Sequence, residues 1–187
     1  MPQSRPVAVL VGSLRKESIS RKVALLLAAI APPSLSLQIV EIGDLNLYNQ
    51  DLEDASPQPP AWLTFRDRMR TVQAVLFVTP EYNRSVPGLL KNAIDVGSRP
   101  YAHSIWRGKP CGVVSVSPGP YGAFGANHHI RQSFVSLDMP TLQQPEAYIA
   151  GAGTLFDADG RLTNEKTREL LERYMTTFAA WVDRHVT

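Results

Sequence analysis

An α/β fold with a parallel sheet covered by helices on both faces is predicted by the order of apolar patterns along the chain. Five short strand-like runs are each followed by a segment whose apolar residues recur at helical spacing. No composition break and no internal repeat interrupts the alternation. The run Ala74-Val75-Leu76-Phe77-Val78 is apolar at every position, which suits a strand buried on both faces of a parallel sheet. Right-handed crossovers then distribute the helices over the two faces.

The first strand is read at residues 7–11, a β-branched run that breaks at Gly12. Residues 21–30 follow with helical spacing and stop at Pro32-Pro33. Residues 35–42 alternate as a second strand, and residues 43–60, rich in Asp, Asn, Pro and Ser, read as a long surface loop. A short amphipathic helix is expected at 62–71, the third strand at 74–78, and a helix from near Pro87 that buries Leu89, Leu90, Ala93 and Ile94. A loop at 97–110 leads to the fourth strand at 111–117, a glycine-rich turn at 117–125 and a helix at 126–137. The fifth strand lies within 140–149, residues 157–160 form a turn, and a long helix over 163–186 closes the chain, capped by Thr163 or Asn164.

At 187 residues the chain is expected to form one domain with a real core. Its 44% hydrophobic and 19% charged residues exclude a disordered chain. The net charge of +2, with Lys and Arg scattered, gives no nucleic-acid footprint. One cysteine, Cys111, excludes an internal disulfide and a cysteine-rich metal site; in its apolar run it reads as a small buried thiol. Residues 1–6 lead straight into the first strand, and no apolar stretch approaches the ~18 residues of a membrane span. A cytoplasmic protein without membrane or nucleic-acid partners is expected.

In a parallel sheet of this kind the ligand lies beyond the carboxyl ends of the strands, where the strand order reverses. That rule selects three loops, at 12–20, 79–85 and 117–125, which are also the least ordinary stretches of the chain. The first offers the hydroxyls of Ser13, Ser18 and Ser20 and the guanidinium of Arg15, just ahead of a helix N-terminus that favours an anion. Neither G-x-G-x-x-G nor G-x-x-x-x-G-K-[ST] is present, so the loop suits a single terminal phosphate rather than a wrapped polyphosphate. A tight turn that caps the helix is the other reading. In the second loop, the backbone of Pro80-Glu81-Tyr82-Asn83 can run along the edge of a planar heterocycle, with Tyr82 packed beside the plane; a plain capped loop is the alternative. Gly119, Gly122 and Gly125 in the third loop permit positive φ and a close approach by a flat ligand, or simply make a turn.

No hydrolytic constellation is visible: there is no G-x-S-x-G elbow, no H-E-x-x-H and no paired carboxylates. His128 and His129 are adjacent on a helix, about 100° apart, with no third ligand, and read as surface or interface residues. No metal site is expected. Chemistry carried by a cofactor is favoured.

At these loops the sequence resembles the NADPH-dependent FMN reductase family, and especially its chromate and quinone reductase branch. The residues that carry the resemblance are Gly12-Ser13-Leu14-Arg15-Lys16-Glu17-Ser18, then Pro80-Glu81-Tyr82-Asn83 with Ser85-Val86-Pro87-Gly88-Leu89-Leu90-Lys91-Asn92-Ala93-Ile94-Asp95, and the glycine turn ending in Arg131. The resemblance implies a flavodoxin-like three-layer α/β/α fold with a five-stranded parallel sheet in the order 2-1-3-4-5. It implies one FMN, its phosphate held by Ser13, Arg15, Ser18 and Ser20. Pro80, Glu81, Tyr82 and Asn83 would line the isoalloxazine, and Ser117 with Gly119 would close its other side. It further implies a ping-pong cycle in which NADPH or NADH is oxidised and a small acceptor is reduced: a quinone, chromate, an azo compound or free flavin. A homodimer or homotetramer with the site near the interface is implied as well. The sequence departs from the family pattern at Ser20, where many relatives carry Asn, and at Val96, where Trp is usual. It departs again at Gly125-Ala126-Asn127, where paired glycines and then Arg are common. A flavodoxin-like electron carrier without its own NAD(P)H oxidation is the rival. Flavodoxins are typically acidic and lack an arginine in the phosphate loop, whereas this chain is basic and carries Arg15. A scaffold that keeps only the fold is a second rival, opposed by the intact donors of the first loop.

Overall fold

The computed structural model describes residues 4–186, so residues 1–3, read above as leading into the first strand, lie outside the described residues. Five strands form one wholly parallel sheet in the order β2-β1-β3-β4-β5. They are β1 (Arg5–Val11), β2 (Leu35–Ile39), β3 (Ala74–Thr79), β4 (Cys111–Val116) and β5 (Ala147–Ile149). Between and after them run α1 (Ile19–Ala29), α2 (Gln50–Asp54), α3 (Pro60–Arg70), α4 (Gly88–Gly97), α5 (Phe124–Ser136) and α6 (Glu165–His185).

The continuous apolar runs are explained by two covered faces. Val7, Val9 and Val11 join Val23, Leu27, Tyr174 and Phe178 in the core beneath α1 and α6. Ala8 and Leu10, their neighbours in β1, point the other way into a core built on Trp62, Phe65, Leu90, Trp106 and Phe134. Alternate side chains of each central strand therefore bury in different layers, and a polar residue there needs an internal hydrogen-bond partner, as Thr79 and Ser115 have. Every residue of β3 and β4 is buried, whereas β2, at the edge, is mostly half-buried.

The structure corrects several expected boundaries. The second strand ends at Ile39 rather than 42, because only the Val40 N–H still reaches β1, at Val9 O, before the chain turns away. The helix after β1 begins at Ile19, the one before β5 at Phe124, and Asn164 rather than Thr163 caps α6 by accepting from the Thr167 N–H. The fourth strand stops at Val116, and β5 keeps only three residues of its expected window.

The largest correction is at residues 43–60. This stretch contains α2 and is tied down by long-range polar contacts. Asn92 on α4 accepts from the Tyr48 N–H and donates to Leu45 O and Asn46 O, and Trp62 Nε1 also donates to Asn46 O. The Glu53 carboxylate forms a buried bidentate pair with Arg66, whose Nε donates to Val96 O. Most polar side chains of this stretch are exposed, as expected of a surface segment; Glu53 is the one turned inward, and the ties to Asn92 and Trp62 run through backbone groups.

Cys111 is fully buried as expected, its Sγ 3.3 Å from Thr141 Oγ1, and burial pushes its thiol up to about 12. Because the native pKa lies above the ~8.5 of a free thiol, the stabilising contribution is complete below that value. It declines as pH rises through the interval and is lost beyond the native pKa. We expect native protein at pH 8 to react with a thiol reagent only at the rate of unfolding, and denaturant stability to fall above pH ~9. Rapid stoichiometric labelling of the folded protein at pH 8 would contradict the burial. No helix among the described residues is long and apolar enough to cross a membrane.

Candidate functional site

The order of strands places the reversal between β1 and β3: the chain leaves β1 toward β2 on one side and β3 toward β4 on the other. Their carboxyl ends open into the loops at 12–18 and 80–87, and between these lies a cleft of about 380 Å³. Gly12, Leu14 and Arg15 line it from the first loop, and Tyr82, Pro87, Gly88 and Leu89 from the second loop and the start of α4. Gly12 sets the spacing, since a Cβ there would lie 3.0 Å from Pro80 Cδ and 3.2 Å from Thr79 Oγ1.

The first loop is shaped by its own hydroxyls. Ser18 caps α1 by accepting from the Arg21 N–H at 3.1 Å, and Ser13 Oγ accepts from the Arg15 N–H at 3.4 Å. Both serines, and Ser20 in the first turn of α1, are buried, whereas Arg15 extends into solvent. The capping reading of this loop is thus correct for Ser18, yet a serine cap uses only its lone pair and keeps its O–H to donate elsewhere. Neither α1 nor α4 has an acidic residue in its first turn, so two helix N-termini beside the cleft keep their positive ends uncompensated. Arg15 is the single charged side chain lining the cleft among the described residues.

The second loop is a miniature hairpin. Tyr82 and Ser85 exchange both backbone hydrogen bonds, at 3.1 and 3.0 Å, across Asn83 and Arg84, which sit at φ 52° and 64°. This is the I′ geometry, natural for Asn and strained for Arg, and it sets Tyr82 half-exposed on the cleft wall. Glu81 turns away: its Oε2 accepts from the Ala126 N–H at 3.0 Å, at the start of α5. Of the second-loop residues expected to line a ring, Glu81 is thereby limited to its backbone.

In the third loop, Ser117 Oγ accepts from the Gly119 N–H, and Ser117 O accepts from the Ala152 N–H. Neither Ser117 nor Gly119 lines the cleft, and of the three glycines only Gly122 has positive φ. A buried polar chain supports the loop from below. Ser115 Oγ donates to Gly122 O, Asn127 Nδ2 donates to Ser115 Oγ, and Arg131 Nε donates to Asn127 Oδ1. Sequence reading missed Pro87, Gly88 and Leu89 as cleft wall, and it missed Ser115 and Asn127 as supports. A polar residue inside the apolar run 111–116 was the one signal for Ser115. His128 and His129 are exposed, bonded to Tyr148 and Ser85 respectively. Burial, with the hydrogen bond to Glu146, pushes the Tyr148 phenol up to about 12.

A second cavity of about 360 Å³ lies between the end of β2 and α3, but it is bordered by Glu41 and Asp44 and stands away from the reversal of the strands. The Arg21 guanidinium beside Glu41 holds that carboxyl below the usual range, and Arg68 lines the same cavity.

The cleft, with Arg15 on its wall, no acid there among the described residues and apolar surface from Leu14, Tyr82 and Leu89, fits a flat cofactor that ends in one phosphate. The family model described as NADPH-dependent FMN reductase matches residues 6–154. The chain belongs to this family. It is accordingly an NAD(P)H-dependent oxidoreductase that uses FMN, which distinguishes it from an electron carrier without NAD(P)H oxidation. A quinone reductase from Pseudomonas putida is 63% identical over 182 residues, 97% of each chain. A 2-hydroxy-1,4-benzoquinone reductase from a Burkholderia species is 42% identical over 181 residues, covering 96% of this chain and 98% of that one. The structure of FerB, a flavoenzyme NAD(P)H:(acceptor) oxidoreductase from Paracoccus denitrificans, superposes with a TM-score of 0.90 at 40% identity. The match covers 98% of this chain and 100% of FerB. The family's flavodoxin-like architecture is the three-layer sheet described above.

Proposed function

We propose that residues 1–187 form one FMN-binding domain that reduces quinones at the expense of NAD(P)H. The observation that carries this reading is the cleft between the loops after β1 and β3, walled by apolar surface and holding one charge, the Arg15 guanidinium. Arg15 supplies a fork for phosphate oxygens; Ser13, Ser18 and Ser20, with the first-turn N–H groups of α1, complete the phosphate subsite. The backbone of Pro80, Glu81, Tyr82 and Asn83 would run along the ring edge with Tyr82, on the cleft wall, beside it, and Ser117 and Gly119, outside the cleft wall itself, would close the other side.

When bound, FMN would supply the two-electron relay between NAD(P)H and the acceptor in a ping-pong cycle. The protein's own part is to orient the ring and to leave one face open to each substrate in turn. Quinones are favoured among small acceptors by the names of the two bacterial relatives; chromate, azo compounds and free flavin suit the same open cleft. A homodimer or homotetramer is favoured by large exposed apolar residues such as Phe124 and Val135 on α5. A cytoplasmic location accords with the lone buried thiol.

Purified protein reconstituted with FMN is expected to show flavin absorption that bleaches under anaerobic NAD(P)H and returns on addition of a benzoquinone. A protein that takes up no flavin, or whose bleached flavin is not reoxidised by quinone, would overturn the reading.

A further inference from the structure

We infer that Glu81 is a positioning residue for the flavin ring, acting as a helix cap that locks the loop after β3 onto the loop after β4. The inference rests on the FMN reading above. Helix α5 begins badly: its N-cap residue, Ala123, sits at φ 60° and offers no side-chain acceptor to the first-turn N–H groups. Glu81, 45 residues away, supplies that acceptor through Oε2 at 3.0 Å from the Ala126 nitrogen. Its side chain is only 12% exposed, and an anion at a helix N-terminus is electrostatically favoured.

The neighbouring glycine makes room for the contact. A Cβ at Gly125 would lie 2.7 Å from Arg84 O and 2.8 Å from Glu81 Oε2, so the helix start and the hairpin can touch only with glycine there. The other ties between the two loops are more exposed. Arg84, 71% exposed, lies 3.4 Å from Glu81 Oε1 and stacks 4.9 Å over Tyr121, and both contacts are solvent-screened. Ser85 Oγ meets the exposed His129 Nδ1 at 2.7 Å.

One sheltered hydrogen bond therefore ties the loop after β3 to the start of α5, while the loop after β4 has its own bonds to Gly151 and Ala152. Tyr82, whose backbone follows Glu81 directly, lines the cleft, and in the proposed reading Ser117 and Gly119, on the loop that leads into α5, would face the ring from the other side. Loss of the cap frees the two loops to part, which changes where the ring sits and not only how stable the protein is.

The test compares wild type, Glu81→Gln, Glu81→Ala and Gly125→Ala as apoproteins titrated with FMN, with visible circular dichroism of the bound flavin and apoprotein Tm measured alongside. Glu81→Gln keeps an oxygen for the Ala126 N–H while losing the charge and the Arg84 pair. It is expected to hold FMN within about twofold of wild type with an unchanged spectrum. Glu81→Ala is expected to weaken FMN by about tenfold and to alter the visible dichroism, and Gly125→Ala, which crowds the same oxygen, is expected to do likewise. A Glu81→Ala protein that loses Tm but keeps wild-type affinity and spectrum overturns the inference, and so does Glu81→Gln matching Glu81→Ala. If Glu81→Ala does not fold, Gly125→Ala decides, and its normal FMN affinity and spectrum overturn the inference. Wild type failing to bind FMN overturns the parent reading instead.

Discussion

Replacing Arg15 by Ala is expected to weaken FMN binding by about 10- to 100-fold while leaving the apoprotein equally stable. Hydrogen bonds to a charged group are worth about 1.5–3 kcal/mol net, and Arg15 is the single charged side chain on the cleft wall among the described residues. It extends into solvent and packs against nothing in the core, so its removal leaves the layers around the sheet untouched. Riboflavin, which lacks the phosphate, provides the internal control: wild type and variant should bind it alike. Arg15→Lys should fall between, because an ammonium keeps the charge and loses the planar fork. Added salt should weaken FMN more in wild type than in Arg15→Ala. Titration of apoprotein by flavin fluorescence measures all of these, and an Arg15→Ala protein with wild-type FMN affinity would remove the phosphate from this loop.

Replacing Arg66 by Ala is expected to cost about 3–5 kcal/mol of unfolding free energy. The Arg66 and Glu53 side chains are 2% and 5% exposed, and the guanidinium also donates to Val96 O and Gln58 Oε1. Removing it leaves a buried carboxylate with its charge unpaired, keeping only the neutral Gln58 Nε2 donor, and takes the charged anchor from α2. The double substitution Glu53→Gln with Arg66→Met should cost less than the sum of the two singles, because a neutral pair of similar volume leaves no buried charge. Urea unfolding followed by tryptophan fluorescence is a suitable probe, since Arg66 lies 5.6 Å from the Trp62 ring. A loss below about 1 kcal/mol would mean that residues 43–60 are held mainly by the Asn92 and Trp62 contacts. Gly43, at the head of that segment, lies against Leu14 of the cleft wall, so the same variant should also loosen FMN modestly.

The two variants separate what was legible in the sequence from what was not. Arg15 stands out because a guanidinium adds nothing to a helix cap, and its place after an apolar strand identifies the carboxyl edge of the sheet. Arg66 gives no such sign. On an amphipathic helix it reads as one more solvated charge, and only the approach of Glu53, 13 residues earlier, turns it inward. Glu81 shows the same division within a single motif. The tetrapeptide Pro80 to Asn83 marks the loop, while the direction of the Glu81 side chain depends on Ala123 having left α5 without a cap.

Local periodicity, by itself, determined the alternating elements, the parallel sheet with two covered faces and the three loops at one edge, because burial on a given face is repeated every second or every third to fourth residue. The strand order and the cofactor family came from motif resemblance and were then met by the observed sheet and the family match. The tertiary structure alone decided that residues 43–60 are anchored, that Glu81 serves α5, and that Ser115, Asn127 and Arg131 support the third loop. Each of these is a hydrogen bond or ion pair between groups brought together from separate elements. Such pairing depends on distance and direction in the folded chain, which no spacing along the sequence records.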